Sequence, residues 1–115
     1  MDPTPNPTLQ QIQAMLLTQS NALKKAFDDA NDANTMDTIM TQKKEVLHRI
    51  DIVQNLLFKQ SSQALAATLP GITTANDALT KAISGINDIA AFVTSASNFL
   101  QAVDQAITIA KALSA

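Results

Sequence analysis

The sequence predicts an all-α protein, and two observations carry that prediction. There are only two glycines and four prolines in 115 residues, which leaves few breakers for the turns that separate short strands. The apolar residues, 46% of the chain, are mostly Ala, Leu, Ile and Val, with four Phe and no Trp or Tyr. Side chains of this size allow helices to approach closely. We expect one domain over residues 8–115, either an antiparallel three-helix bundle or an extended helical hairpin with a long coiled-coil-like C-terminal helix.

The first helix is expected over about residues 8–33, after a disordered proline-rich arm at 1–7. Thr8 is the expected N-cap, because Gln11 three residues later completes a capping box. Apolar residues then follow at spacings of three and four, namely Leu9, Ile12, Leu16, Leu23, Ala26 and Ala30. Gln19 interrupts this stripe. The helix should end near residues 33–35, where Asp and Asn side chains compete for backbone hydrogen bonds.

The second helix is expected over about residues 36–69. Its apolar stripe comprises Met36, Ile39, Met40, Val46, Leu47, Ile50, Val53, Leu56 and Leu57. Glu45 and Arg49 are spaced as an i,i+4 ion pair in the favourable orientation. Pro70-Gly71 should end this helix, because proline removes a hydrogen-bond donor and glycine permits a left-handed turn.

The third helix, expected over 72–114, carries the most regular pattern. With Ile72 as heptad position a, the a positions are Ile72, Leu79, Ile86, Val93, Leu100 and Ile107. The d positions are Ala75, Ala82, Ile89, Ala96, Val103 and Ala110. The 3.5-residue period continues past Gly85 and lasts longer than the roughly 3–4 heptads needed to predict a coiled coil, which favours one continuous helix. A break at Gly85 would instead give four helices.

This third helix also supplies the first candidate interaction site. At 1.5 Å per residue it would be roughly 60 Å long, longer than either of the other helices. One end of its apolar seam would then lack a neighbour within the chain, and monomers rarely leave such a stripe exposed. We therefore expect the seam to bind another copy or another helical protein. The candidate residues are Ile86, Ile89, Phe92, Val93, Phe99, Leu100, Val103 and Ile107.

A second candidate site is the uncharged segment 60–76, which surrounds Pro70-Gly71. It could form an apolar hairpin tip that enters a bilayer or the groove of a partner, with Leu65, Leu69, Pro70, Gly71 and Ile72 at its centre. Interfacial helices usually carry Lys or Arg and Trp at the headgroup level, and this segment has none of them. A turn packed against protein is the favoured interpretation, and a membrane partner is not favoured.

Several other classes of function are disfavoured. The net charge of −2 and the scattered basic residues argue against nucleic acid. Glu45 and His48 have the spacing of di-iron helices, but Glu45 is the only glutamate, so no metal site is expected. With one histidine, no cysteine and no tyrosine, few groups remain for acid–base or nucleophilic catalysis. We expect no enzyme activity and no cofactor.

The sequence therefore favours a non-catalytic helical assembly or interaction module. Its composition, short and helical, free of Cys and Trp, and rich in Ala, Thr, Asn and Gln, is similar to that of helical subunits exported by bacterial secretion machines. The alternatives are a membrane-active protein of the pore-forming or translocator type, and a small inhibitor or immunity-type protein. Residues 1–8 lack the pattern of a signal peptide, so we expect a cytoplasmic protein or export without a cleavable signal.

Overall fold

The computed structural model describes residues 5–84, 86 and 88–113. Its helices are α1 (Pro7–Asp29), α2 (Ala33–Leu56), α3 (Gln63–Ala66), α4 (Leu69–Ser84) and α5 (Ile89–Lys111). Four of them are long and α3 is a single turn, and no strand occurs in this part of the chain. The all-α prediction is confirmed.

Each long helix packs against two others. α1 contacts α2 and α4, while α5 contacts α4 and α2. Met15 and Gln19 of α1 meet Thr73 and Asn76 of α4 in the same order along the chain, so these two helices run parallel. The segment of residues 57–68, which contains α3, crosses from the end of α2 to the start of α4.

One hydrophobic core lies between the four long helices. The stripe predicted for the first helix is confirmed, because Leu9, Ile12, Leu16 and Leu23 are fully buried. On α2 the buried residues are Ile39, Val46 and Val53. Leu47 was predicted in this stripe and is instead 45% exposed. The predicted stripe on this helix is therefore too wide.

The prediction of one continuous third helix is wrong. The alternative, a break that gives four long helices, is confirmed. The described chain measures 51 Å along its longest axis, less than the roughly 60 Å that such a helix would need. α4 ends at Ser84 and α5 begins at Ile89, with Asp88 as the N-cap that accepts a hydrogen bond from the Ala91 amide at 3.2 Å. Gly85 itself lies outside the described residues.

The buried faces explain why the chain folds back between α4 and α5. α4 buries Ile72, Leu79 and Ile83, which are positions a and e of the predicted heptad. The fully buried residues of α5 are centred on positions d and g, namely Phe92, Phe99, Val103, Ala106 and Ala110. On one straight helix these two faces would point in different directions. Folding back lets both enter the same core.

Pro70 and Gly71 begin α4 rather than ending the second helix, which already stops at Leu56. Proline is tolerated in a first helical turn, where its missing N–H would have had no helical acceptor. The Ile72 amide donates to the Thr68 carbonyl at 3.2 Å. Gly71 does not adopt a positive φ, so the predicted left-handed turn is wrong.

Gly71→Ala is therefore expected to stabilise the protein, by about 0.5 kcal/mol or somewhat more. A Cβ atom at Gly71 would meet nothing within 4 Å, and alanine loses less backbone entropy than glycine when a helix forms. Urea unfolding followed by circular dichroism measures the change. Ala78→Gly, at an exposed site in the same helix, should shift stability the opposite way by about 1 kcal/mol. A loss of stability in Gly71→Ala would mean that the helix does not include this residue.

The N-cap of α1 is Asn6, and not Thr8 as predicted. The Asn6 Oδ1 atom accepts hydrogen bonds from the amides of Thr8 and Leu9 at 3.0 and 3.2 Å. Its Nδ2 group donates to the carbonyls of Lys59 and Gln60 at 3.1 and 3.0 Å. Asn6 is thus buried and ties the start of α1 to the chain that follows α2, so the arm predicted at 1–7 is too long. Residues 1–4 of that arm lie outside the described residues.

Candidate interaction surface

The predicted seam lies mostly inside the protein. Phe92, Phe99 and Val103 are fully buried, and Leu100 and Ile107 are nearly so. Ile86 and Ile89 are half-buried, while Val93 is 36% exposed. A partner could therefore reach Val93 and parts of Ile86 and Ile89 without unfolding the chain. The role of these eight residues in binding stays a prediction, and five of them already serve the core.

The second predicted site does not form a hairpin tip. Leu65 and Ile72 are fully buried, and Leu69 is half-buried and packs on the core. Only Pro70 and Gly71 are exposed. Two small exposed residues offer little apolar area to a bilayer or a partner.

The outer face of α5 is the surface that stands out. We define this α5 outer face by six exposed residues, Ala90, Thr94, Asn98, Gln101, Gln105 and Thr108. No exposed position of α5 before Lys111 carries a charge. The only other charged residue within the helix is Asp104, which is half-buried and bound to Arg49 of α2. A polar surface therefore runs along the helix, and its only charge before Lys111 is the half-exposed Asp104 carboxylate at one edge, which is paired with Arg49.

The sequence indicated this surface only in part. The charge-poor half of the chain and the Thr, Asn and Gln residues opposite the seam could be read from the sequence. The pairing of Asp104 with α2 could not, since it depends on which helices are neighbours. Large exposed apolar side chains also occur singly elsewhere, at Leu17, Leu47 and Phe58.

A recess lies between α1, α2 and α4 at the end of the molecule where α1 meets α2. It consists of two adjoining cavities of about 260 and 290 Å³, which share Ala26, Asp29, Ile83 and Ser84 as lining. Each is slightly smaller than the roughly 300–1,000 Å³ of ordinary ligand pockets. No sequence motif indicated this recess, because it arises only where α1 and α4 pack together.

Asp32 lies at the edge of this recess and caps α2. Hydrogen bonds from the Thr35 amide and from the Thr35 hydroxyl, both at 2.8 Å, hold the pKa of Asp32 below its usual value. The carboxylate is thereby used for capping. The residues from Asp28 to Asp37 were interpreted from sequence as a capped turn between helices, and Asp32 performs that capping.

Arg49 of α2 forms ion pairs with two carboxylates, one on α2 itself and one on α5. Its Nε and Nη2 atoms donate to the two carboxylate oxygens of Asp104 at 2.8 and 2.9 Å. Its Nη1 atom donates to Glu45 at 2.8 Å, which confirms the predicted i,i+4 pair. Burial disfavours the charged guanidinium, but the hydrogen bonds to Asp104 and Glu45 outweigh it and raise the pKa of Arg49.

Arg49→Met is expected to lower the free energy of unfolding by about 1–2 kcal/mol. The Arg49 side chain is only 13% exposed, whereas both carboxylates are about half exposed. The expected loss of stability therefore lies between the contribution of a surface ion pair and that of a buried charged hydrogen bond. Urea unfolding gives the measurement. Glu45→Gln, which weakens only the single hydrogen bond from Nη1 to the Glu45 carboxylate, should stay below about 1 kcal/mol, and an equal loss in both variants would contradict the assignment of Asp104 as the main partner.

Comparisons with known proteins identify no relative. No protein-family model, no curated protein and no solved structure matches this chain significantly. Within the described residues, no helix has both the length and the apolar character needed to cross a membrane. The surface itself is therefore the basis for a functional proposal.

Proposed function

We propose that this chain is a non-catalytic helical interaction module that binds another copy of itself, or another helical protein, through the α5 outer face. The observation that carries the proposal is the absence of charge at exposed positions of α5 before Lys111. A 23-residue helix offers a strip about 35 Å long. This is long enough for a second helix to pack along it for several turns.

The chemistry of the strip favours association with protein. Cores of protein–protein interfaces are depleted of Lys, Glu and Asp, because a charge removed from water must be paired. Neutral Thr, Asn and Gln side chains lose much less solvation, and they can regain hydrogen bonds across the interface. Ala90 and Thr94 are small, so a partner helix could approach closely at that end. Val93 borders the strip and would add apolar area.

This interface differs from the one that the sequence predicted. Phe92 and Phe99 were expected to contact the partner, but their complete burial means that a polar substitution there should unfold the monomer. The α5 outer face can bind without disturbing the core. The similarity in composition to subunits exported by bacterial secretion machines is compatible with a protein that functions by assembly, and we propose export by such a machine as one setting for it.

Self-association at micromolar concentration is the expected result for the wild-type chain. Sedimentation equilibrium and light scattering without detergent should give a mass above the 12.2 kDa of one chain. Thr94→Glu combined with Gln101→Glu places two charges in the α5 outer face and should weaken association at least tenfold. Circular dichroism should show unchanged helix content, because both positions are exposed.

The matched control introduces the same charges elsewhere. Gln10→Glu combined with Thr18→Glu alters two exposed positions of α1 and should leave association unchanged. Equal weakening in the two double variants would indicate a general effect of net charge. A wild-type chain that stays at the monomer mass over the whole concentration range would contradict self-association through this face.

A further inference from the structure

Polar contacts between the long helices are confined to two of the helix pairs. Gln19 of α1 donates through Nε2 to Asn76 Oδ1 and Thr80 Oγ1 of α4, at 2.7 and 2.9 Å. Arg49 of α2 binds Asp104 of α5. Among the described residues, no side-chain hydrogen bond joins α1 to α2 or α4 to α5, although both of these pairs pack closely. The molecule thus consists of two hairpins, α1–α2 and α4–α5, and the polar contacts lie between the hairpins.

Two such hairpins can pack together in two ways. In the structure α1 lies beside α4 and α2 beside α5, so the neighbours from different hairpins are parallel. The alternative puts α1 beside α5 and α2 beside α4, and makes every neighbouring pair antiparallel. Helix dipoles favour the antiparallel arrangement, and the connection of residues 57–68 reaches the start of α4 across the end of the molecule. Dipoles therefore do not explain the observed pairing, and contacts between the hairpins are needed to select it.

Gln19 has the properties of a selective contact. It is fully buried, and its Oε1 atom has no hydrogen-bond partner among the described residues. A buried polar atom without a partner lowers the stability of the fold, so an apolar residue would stabilise this position better. Buried polar residues of this kind fix register and partner choice in coiled coils at the expense of stability. In the alternative pairing Gln19 would lie away from Asn76 and Thr80 and would lose its remaining hydrogen bonds.

We propose that Gln19 and Arg49 together select the pairing of the two hairpins, placing α1 beside α4 and α2 beside α5. Apolar side chains supply the stability of the core, but apolar stripes alone specify less well which helices are neighbours. The two polar contacts are satisfied in only one of the two arrangements. The hydrogen bonds of Gln19 form only when α4 lies beside α1. The bidentate ion pair of Arg49 with Asp104 forms only when α5 lies beside α2.

The test replaces both contacts and measures distances between helices. The chain has no cysteine, so Thr18→Cys can be spin-labelled together with Asp77→Cys on α4 or with Asn98→Cys on α5. Dilution with unlabelled protein removes distances between chains. In the wild-type background each label pair should give one distance population. In Gln19→Leu combined with Arg49→Met, a second population should appear, with a longer α1–α4 distance and a shorter α1–α5 distance.

The control makes the same changes at exposed sites. Gln11→Leu combined with Lys44→Met should keep the wild-type distances. If the test variant is helical and retains the single wild-type population at both label pairs, the core alone selects the pairing and the proposal is wrong. If the test variant loses its helical circular dichroism, Gln19→Leu combined with Asp104→Ala replaces it, because this variant also removes both contacts while Arg49 keeps its ion pair with Glu45. Wild-type distances in that variant also overturn the proposal.

Discussion

Phe99→Ala is expected to lower the free energy of unfolding by about 3–5 kcal/mol, the usual range for removing a buried phenylalanine ring. Phe99 is fully buried on α5 in the core shared by the four long helices. The loss combines the transfer of the ring to water with the cavity that remains. Small domains are stable by only about 5–15 kcal/mol, so much of the fold's stability should disappear. Thermal and urea unfolding, both followed by circular dichroism, measure the effect.

Phe58→Ala is the matched control, since it removes the same ring from a side chain that is 50% exposed. Its effect should stay below about 1 kcal/mol. The comparison tests the buried face assigned to α5, because the predicted heptad placed Val93 at position a and placed Phe99 at neither a nor d. Similar losses of stability in Phe99→Ala and Phe58→Ala would show that the wrong residues of α5 have been assigned to the core.

Asn6→Ala is expected to cost about 2–3 kcal/mol, the second largest effect. The N-cap of α1 accounts for about 1 kcal/mol of this. The rest comes from the carbonyls of Lys59 and Gln60, which lose their hydrogen bonds to the Asn6 amide group in a partly buried place. Urea unfolding gives the magnitude. Hydrogen exchange should locate the change at both the start of α1 and the segment after α2.

Asn6→Asp separates these two contributions. A carboxylate still accepts hydrogen bonds from the amides of Thr8 and Leu9, so the cap survives, but it cannot donate to the two carbonyls. Exchange should therefore increase after α2 and not at the start of α1. If Asn6→Asp matches the wild type, the contacts with Lys59 and Gln60 contribute nothing, and Asn6 acts as a cap alone.

The buried face of the first helix could be predicted from the spacing of its apolar residues. Leu9, Ile12, Leu16 and Leu23 were predicted to be buried and are, because a 3.6-residue period fixes which side chains share a face. Capping was harder to predict. Asn6 and Thr8 are both good N-cap residues, and Pro7 at the first helical position is a local signal for Asn6 that the capping-box argument overlooked. The added contacts with Lys59 and Gln60 could not be read from the sequence.

The candidate surfaces show where the same reasoning stops. The heptad from Ile72 to Ile107 was read as one seam, but two faces of that pattern are buried on two separate helices. Val93 and Leu47 are partly exposed because each lies at the margin of a face whose width depends on the neighbouring helices. The uncharged outer side of α5 was visible as composition. The pairing of its one bordering carboxylate, Asp104, with Arg49 of α2 follows from packing.

The sequence by itself determined the helical class, the approximate faces of the helices and the ion pair of Glu45 with Arg49. These are local properties, since they depend on residues within one or two helical turns. Only the tertiary structure decided that α4 and α5 fold back on each other, that Pro70 starts a helix, and that α1 lies beside α4. The physical reason is that an apolar stripe specifies that it must be buried and does not specify against what. That choice depends on contacts between residues far apart in the chain, such as Gln19 with Asn76 and Arg49 with Asp104.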